Sequence, residues 1–250
     1  MHREPDGPLD LLSFQPGLTA AVIGATGGIG AALASHLDAS PAVSQVLLLS
    51  RSGGADTIRL DLEREETIAA AAGAVFSRSE ALDLVIVATG VLHDGTDLQP
   101  EKTWRTLSGA AMEQAFRINT IGPSLVAKHF LPLLARKRKA VFAALSARVG
   151  SIEDNQLGGW YAYRASKAAL NMTIKTLSIE LARRSPLAVV VGLHPGTVDS
   201  ALSRPFQSGV PKRQLFSPDR SARALLGVID DLEPSDSGQV FAWDGRRIAP

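Results

Sequence analysis

The chain has 250 residues, 45% of them hydrophobic, a formal net charge of +1 and no cysteine. That length suits one large α/β domain or two small ones, with enough chain to bury a sizeable core. Balanced charge argues against nucleic acid or an anionic membrane surface as the main partner, and the missing thiols exclude disulfides, zinc–thiolate sites and thiol catalysis.

The opening MHREPDGPLDLLSFQPG mixes charges of both signs with two early prolines and has no apolar core of signal-peptide length, so residues 1–17 read as a lead-in arm. No apolar stretch approaches the roughly 20 residues that a spanning helix needs, and a cytoplasmic protein without membrane contact is expected. Beyond the arm, short apolar runs alternate with helix-length segments. The runs are TAAVIG (19–24), QVLLLS (45–50), a weaker TIRLDL (57–62), LDLVIVAT (82–89), KAVFAALS (139–146), LAVVVGLH (187–194) and QVFAWD (239–244). Aliphatic character without alternation marks strands buried on both faces of a parallel sheet. The helical segments are Gly28–Ala39, Glu63–Ala74, Gly109–Lys137, Tyr161–Arg184 and Pro218–Leu232. Strand–helix–strand repeated predicts right-handed units in an α/β fold: a doubly wound parallel sheet of about seven strands with helices on both faces. No linker splits residues 1–250, so one domain is the economical reading. Residues 197–216, rich in Ser, Pro and Gly, are the candidate lid over a site.

The first strand runs into AAVIGATGGIGAALASHL (20–37). Gly24 permits a tight turn, Gly28 lets backbone approach a pyrophosphate, and Gly30 lets the helix pack on the sheet; the helix start then supplies N–H groups to the anion. Gly24, Thr26, Gly27, Gly28, Ile29 and Gly30 are the candidate contacts. The spacing is G-x-x-x-G-x-G, or G-x-x-G-x-x-G if Gly27 replaces Gly28, so it does not choose a subfamily. The second strand ends in LLLSRSGG, with Ser50 where an acid for ribose hydroxyls is expected and Arg51 after it. No carboxylate repels a 2′-phosphate and a guanidinium can pair with it, which favours NADP(H) and leaves NAD(H) open. Asp61 and Leu62 are candidates for the adenine edge; Ala88, Thr89 and Gly90 are candidates for the adenine ribose.

YAYRASKAALN (161–171) places Tyr163 and Lys167 four apart on one helical face. An ammonium about 4 Å from a phenol oxygen is worth about 4 kcal/mol at an effective dielectric of 20, an upper bound of roughly three pK units. The phenol is therefore expected to move toward neutrality and to exchange a proton with a carbonyl or alcohol oxygen.

GATGGIG, Asp61-Leu62, ATG at 88–90, RIN at 117–119, LSARVGS, YRASK and HPGTV at 194–198 together resemble the short-chain dehydrogenase/reductase family, from about Thr19 to Asp244. RVGSI followed by GGWYAYRASKAALN looks most like its C-factor and small cytosolic carbonyl reductase branch. The resemblance implies a single-domain Rossmann fold, NAD(P)(H), a small carbonyl or alcohol substrate and a Ser/Tyr/Lys/Asn set. Tyr163 matches the acid/base, Lys167 the nicotinamide-ribose ligand that shifts it, and Asn119 the asparagine at a helix kink. Pro195, Gly196, Thr197 and Val198 match the stretch beside the nicotinamide carboxamide. Two positions depart from the pattern. The family's second serine after strand five falls on Ala147, leaving Ser146 as the candidate, with Ser151 or a water as the fallback. Its Asn-Asn-Ala-Gly appears here as Val87-Ala88-Thr89-Gly90.

The five histidines form no ligand cluster, so no metal is expected, and the basic run ARKRKA (135–140) reads as a solvated helix end. On the Tyr163 helix, Ala165, Ala168, Ala169 and Met172 form one apolar stripe and Leu170, Ile174, Leu177 and Leu181 another. One stripe packs on the sheet; the other suggests a homodimer or homotetramer. Trp160, Leu157, Phe206 and Phe216 are candidates for a partly apolar pocket. The rival readings are a dinucleotide-binding sensor without turnover, favoured by the unusual end of strand five, and sugar-nucleotide epimerisation, for which the carboxyl-terminal part looks too short.

Overall fold

A computed structural model describes residues 7–207, 209 and 211–250. The first six residues of the expected arm lie outside it, as do Ser208 and Val210 of the expected lid. Seven strands form one sheet in the order β3-β2-β1-β4-β5-β6-β9, every neighbouring pair parallel. They are β1 (Leu18–Ile23), β2 (Val43–Ser50), β3 (Thr57–Arg59), β4 (Leu84–Val87), β5 (Ala140–Leu145), β6 (Ala188–His194) and β9 (Val240–Ala242). Every residue of β1, β4 and β5 is buried, which is why their sequences carry no polar alternation. The expected runs TIRLDL and QVFAWD shrink to three residues each, at the two sheet edges, where a strand has a pairing partner on one side only.

Helices cover both faces. Helices α1 (Gly28–Asp38) and α6 (Pro218–Asp231) pack together against a core containing Leu33, Leu37, Leu225 and Ile229. On the opposite face α2 (Glu65–Phe76), α4 (Gly122–Phe130) and α5 (Tyr161–Ala182) close a second core around Ile68, Phe130, Phe142 and Ile174. The lead-in arm is docked: Leu11 and Phe14 are buried under the first face, and Asp230 accepts from the backbone N–H groups of Leu12 and Ser13.

The single helix expected over Gly109–Lys137 is broken into α3 (Gly109–Phe116), a π-type turn over Arg117–Ile121, and α4, ending in a short 3-10 turn at Leu131–Leu133. The reason lies in two prolines. Pro123 lacks an N–H and its ring crowds the carbonyl four residues back, so the chain widens there, and Pro132 stops the helix by the same means. Within the expected lid, β7 (Thr197–Val198) pairs in parallel with β8 (Leu215–Phe216), pinning its two ends together.

The chain runs β1, β2, β3 outward and then crosses back to β4 on the far side of β1. That reversal opens a crevice at the carboxyl ends of β1 and β4. The β1–α1 junction is tight. A Cβ on Gly30 would stand 2.1 Å from the Gly24 carbonyl oxygen, whereas one on Gly73, inside α2, meets nothing within 4 Å. Gly30→Ala is therefore expected to lose at least about 2 kcal/mol, roughly 4–8 °C in melting temperature. Gly73→Ala should gain about 0.5–1 kcal/mol from helix propensity. Thermal melts followed by circular dichroism check both signs.

Candidate active site

At the carboxyl edge of the sheet lies a cleft of about 700 Å³. Its walls come from the turn after β1 (Gly27, Gly28, Ile29), the end of β4 (Ala88, Thr89, Gly90), the end of β5 (Ser146, Ala147), Tyr163 and Lys167 of α5, and the segment from His194 to Phe206. Of the residues expected to touch a cofactor, Pro195, Gly196, Thr197 and Val198 also line it.

The glycine turn suits an anion. Gly24 takes φ +85°, and its N–H and that of Ala25 donate to the Leu49 carbonyl. Thr26, Gly27 and Gly28 are exposed, and Gly27, at the cap of α1, offers no side chain to its first N–H groups. Ser50 Oγ, at the end of β2, and Thr89 Oγ1, at the end of β4, are buried without a hydrogen-bond partner among the described residues. Arg51 is exposed beside Ser50. Sequence reasoning missed Arg59, exposed on β3 in register with Ser50, because that register is set by strand pairing. Asp61 accepts from the Glu63 N–H, and Leu62 is a core residue against Gly122. Gly24, Thr26, Gly30, Ser50, Arg51, Asp61, Leu62 and Asn119 are not among the residues facing the cleft itself.

Helix α5 starts abruptly. Trp160, at its cap, is left-handed at φ 52° and offers no side-chain cap. A buried carboxylate does so from a distance: Glu101 accepts from the Ala162 N–H, while its backbone carbonyl accepts from the Trp160 N–H at 2.6 Å. An anion at a helix amino terminus is stabilised by the helix dipole. No sequence signal reveals it, since 60 residues separate the partners.

Lys167 is 2% exposed and its Nζ donates to the Leu145 carbonyl at 2.7 Å. The same nitrogen lies 5.8 Å from the centre of the Tyr163 ring. Asn119, in the π-type turn, donates to Val91 O at 2.8 Å and to Ser166 Oγ at 3.1 Å, and accepts from the Val91 N–H. That ties the β4 loop to α5 one residue from the lysine. Ser146 is also buried, but its hydroxyl donates to Asn171 Oδ1 at 2.6 Å, farther along α5. Ser151 is tied to the Pro250 carbonyl. Ala147 lines the cleft and carries no hydroxyl. Among the aromatic candidates, Trp160 and Phe206 face the cleft with ring centres 5.3 Å apart. Leu157 is 92% exposed, and Phe216 is buried against Trp243.

The electrostatics differ from the expectation raised by the i, i+4 spacing. Burial pushes the Tyr163 phenol up to about 12 and the Lys167 ammonium down to about 7. Loss of water around both groups outweighs the attraction between them, and the ammonium spends one donor on a neutral carbonyl. This depressed value has a consequence for stability. Between pH 7 and 10.5 the unfolded chain holds a proton on Lys167 that the folded chain has lost, so the lysine's contribution to stability rises with pH across that window. From pH 7 to 9.5 the rise is about 3 kcal/mol. Denaturant titrations at those two pH values should show it in the wild type and not in Lys167→Met.

Residues 18–210 match the family described as short chain dehydrogenase. The chain is 40% identical over 139 residues to the C-signal protein of Myxococcus xanthus, covering 56% of this chain and 78% of that one. It is 31% identical over 207 residues to an uncharacterised oxidoreductase of Schizosaccharomyces pombe, covering 76% of each. Among solved structures, the NADPH-bound carbonyl reductase from chicken fatty liver superposes with a TM-score of 0.79 at 26% identity, covering 94% of this chain and all of that one. With a family match spanning both the glycine turn and the Tyr163–Lys167 helix, the chain belongs to the short-chain dehydrogenase family of oxidoreductases.

Proposed function

We propose that this oxidoreductase interconverts a small carbonyl compound and its alcohol, with NADP(H) preferred over NAD(H). The observation that carries the reading is the placement of Tyr163 and Lys167 on one wall of a cleft that also holds an uncapped, glycine-lined helix start. The exposed helix N–H groups, the unpartnered Ser50 and Thr89 hydroxyls and the spare donors of Lys167 are what a dinucleotide's phosphates and ribose hydroxyls require. When bound, the nicotinamide supplies or accepts the hydride.

The chain's own residues do the rest. Tyr163 holds the proton that goes to the carbonyl oxygen in reduction and takes it back in oxidation. Lys167 orients ribose hydroxyls, and with partners for its other two donors it is held charged, which draws the phenol down from its raised value. Asn119 positions the β4 loop against α5. Arg51, with Arg59 in the neighbouring strand, pairs the 2′-phosphate. Residues 197–216 act as the lid: Phe206 already leans on Trp160, and His93 on Phe206 at 5.6 Å between ring centres. Residues 1–250 then act as one domain.

The α5 stripe of Ala165, Ala168, Ala169 and Met172, half-buried at its alanines and exposed at Met172, supports a homodimer or homotetramer. Leu170 and Ile174 are buried against the sheet, whereas Met172 is 68% exposed and Ile179 51%. A non-catalytic sensor is the second reading, favoured by the missing hydroxyl at Ala147. No described helix is long and apolar enough to cross a membrane.

Tyr163→Phe should lower carbonyl reduction at least about a hundredfold while NADPH still binds, as removal of a general acid does. Equal turnover would remove the assigned acid, and absence of turnover by the wild type across a broad carbonyl panel would favour the sensor. Arg51→Ala should weaken NADPH about tenfold in fluorescence titrations and leave NADH unchanged. Equal losses for both would end the case for NADP(H). Solution scattering at micromolar concentration should give a particle of at least two chains.

A further inference from the structure

We propose that His194 is the second hydrogen-bonding group of the substrate pocket, taking the place of the hydroxyl that position 147 lacks. The inference rests on the reductase reading above. Two facts create the vacancy: Ala147 has no polar atom to offer, and the Ser146 hydroxyl is spent on Asn171.

His194 ends β6. Leu145 and Leu193 are register partners in parallel strands, so the next residues along, Ser146 and His194, stand side by side where the two strands reach the cleft. The imidazole is part of the same wall system as Tyr163 and Ala147. Its Nδ1 is buried and has no hydrogen-bond partner among the described residues. Leaving such an atom unpaired is unfavourable, a penalty that a bound ligand can relieve. Two other polar side chains on the walls are already engaged. Ser203 Oγ donates to the Val198 carbonyl, and His93 Nε2 lies 3.1 Å from the Ala201 carbonyl. Thr89 Oγ1 is also unpartnered, but it stands by the glycine turn, against Gly24.

Ionisation suits the role. Burial, with a smaller contribution from the Arg148 charge, pulls His194 down to about 4 against the opposing pull of Asp244. The ring is neutral at working pH, with one N–H and one lone pair. A neutral imidazole N–H can donate to the carbonyl oxygen while Tyr163 delivers the proton. Hydride goes to carbon, the Tyr163 proton to oxygen, and His194 keeps its own proton throughout. It contributes by stabilising the charge that grows on oxygen.

The test is steady-state reduction of an aromatic aldehyde and a 1,2-diketone by the full chain, with NADPH titrated separately. His194→Phe should lower kcat/KM by about ten- to a hundredfold with the NADPH Kd within twofold. Adding Ala147→Ser to that variant should restore at least about tenfold. Ala147→Ser alone should change kcat/KM less than about threefold, because the place is already filled. His194→Phe within twofold of wild type would overturn the inference. So would a tenfold gain from Ala147→Ser alone, and that single variant decides the matter if His194→Phe does not fold. Tyr163→Phe run in parallel separates the two levels: if it too keeps wild-type activity, the reductase reading has failed, and if it is inactive, only the role of His194 has.

Discussion

A lysine ammonium buried to 2% exposure, donating to the Leu145 carbonyl, is the constraint on which the site depends. It fixes the start of α5 against the end of β5. Gly150 permits the approach, because a Cβ there would lie 2.8 Å from that of Lys167. Asn119 reaches the neighbouring Ser166 from the π-type turn, and Thr120 donates to the Ser166 carbonyl, so three elements converge on one helical turn. An apolar residue in place of Lys167 would be easier to bury. Keeping the amine there, with its proton held loosely at about 7, makes the free protein less stable than its core would allow.

The same pattern recurs around the cleft. Ser50, Thr89 and His194 each bury a polar atom without a partner among the described residues, and all three sit at or near carboxyl ends of strands. The cores behind them are apolar: Phe130, Phe142, Leu33 and Ile68 are fully buried side chains. Local unsatisfied polarity at one edge of a well-packed sheet is how a preorganised binding surface looks before it is filled. Thr197–Val198 and Leu215–Phe216, the two ends of the candidate lid, are tied by a two-residue ladder.

Much of the fold was legible in the residues. Runs such as LVIV and AVFAAL carry no polar alternation because both faces of their strands are covered, and each strand of the sheet overlaps one of the seven apolar runs, β1 and β2 starting ahead of theirs at Leu18 and Val43. The glycine turn, the Tyr163–Lys167 pair and the end of β6 were readable because their chemistry is confined to a few consecutive residues. The break between α3 and α4 was foreshadowed by Pro123, yet the apolar periodicity on either side hid it.

What the sequence alone determined was therefore local: where strands and helices form, which backbone can approach a phosphate, and which side chains share a helical turn. The tertiary structure decided everything that depends on distant residues meeting or on water being excluded. It brought Glu101 to the start of α5, set Arg59 beside Ser50, turned the Ser146 hydroxyl toward Asn171 and left Nδ1 of His194 unpaired. It also reversed the charge balance expected of Tyr163 and Lys167. Spacing along a helix gives the attraction between two groups, but only the packing around them gives the cost of removing their water, and here that cost is larger.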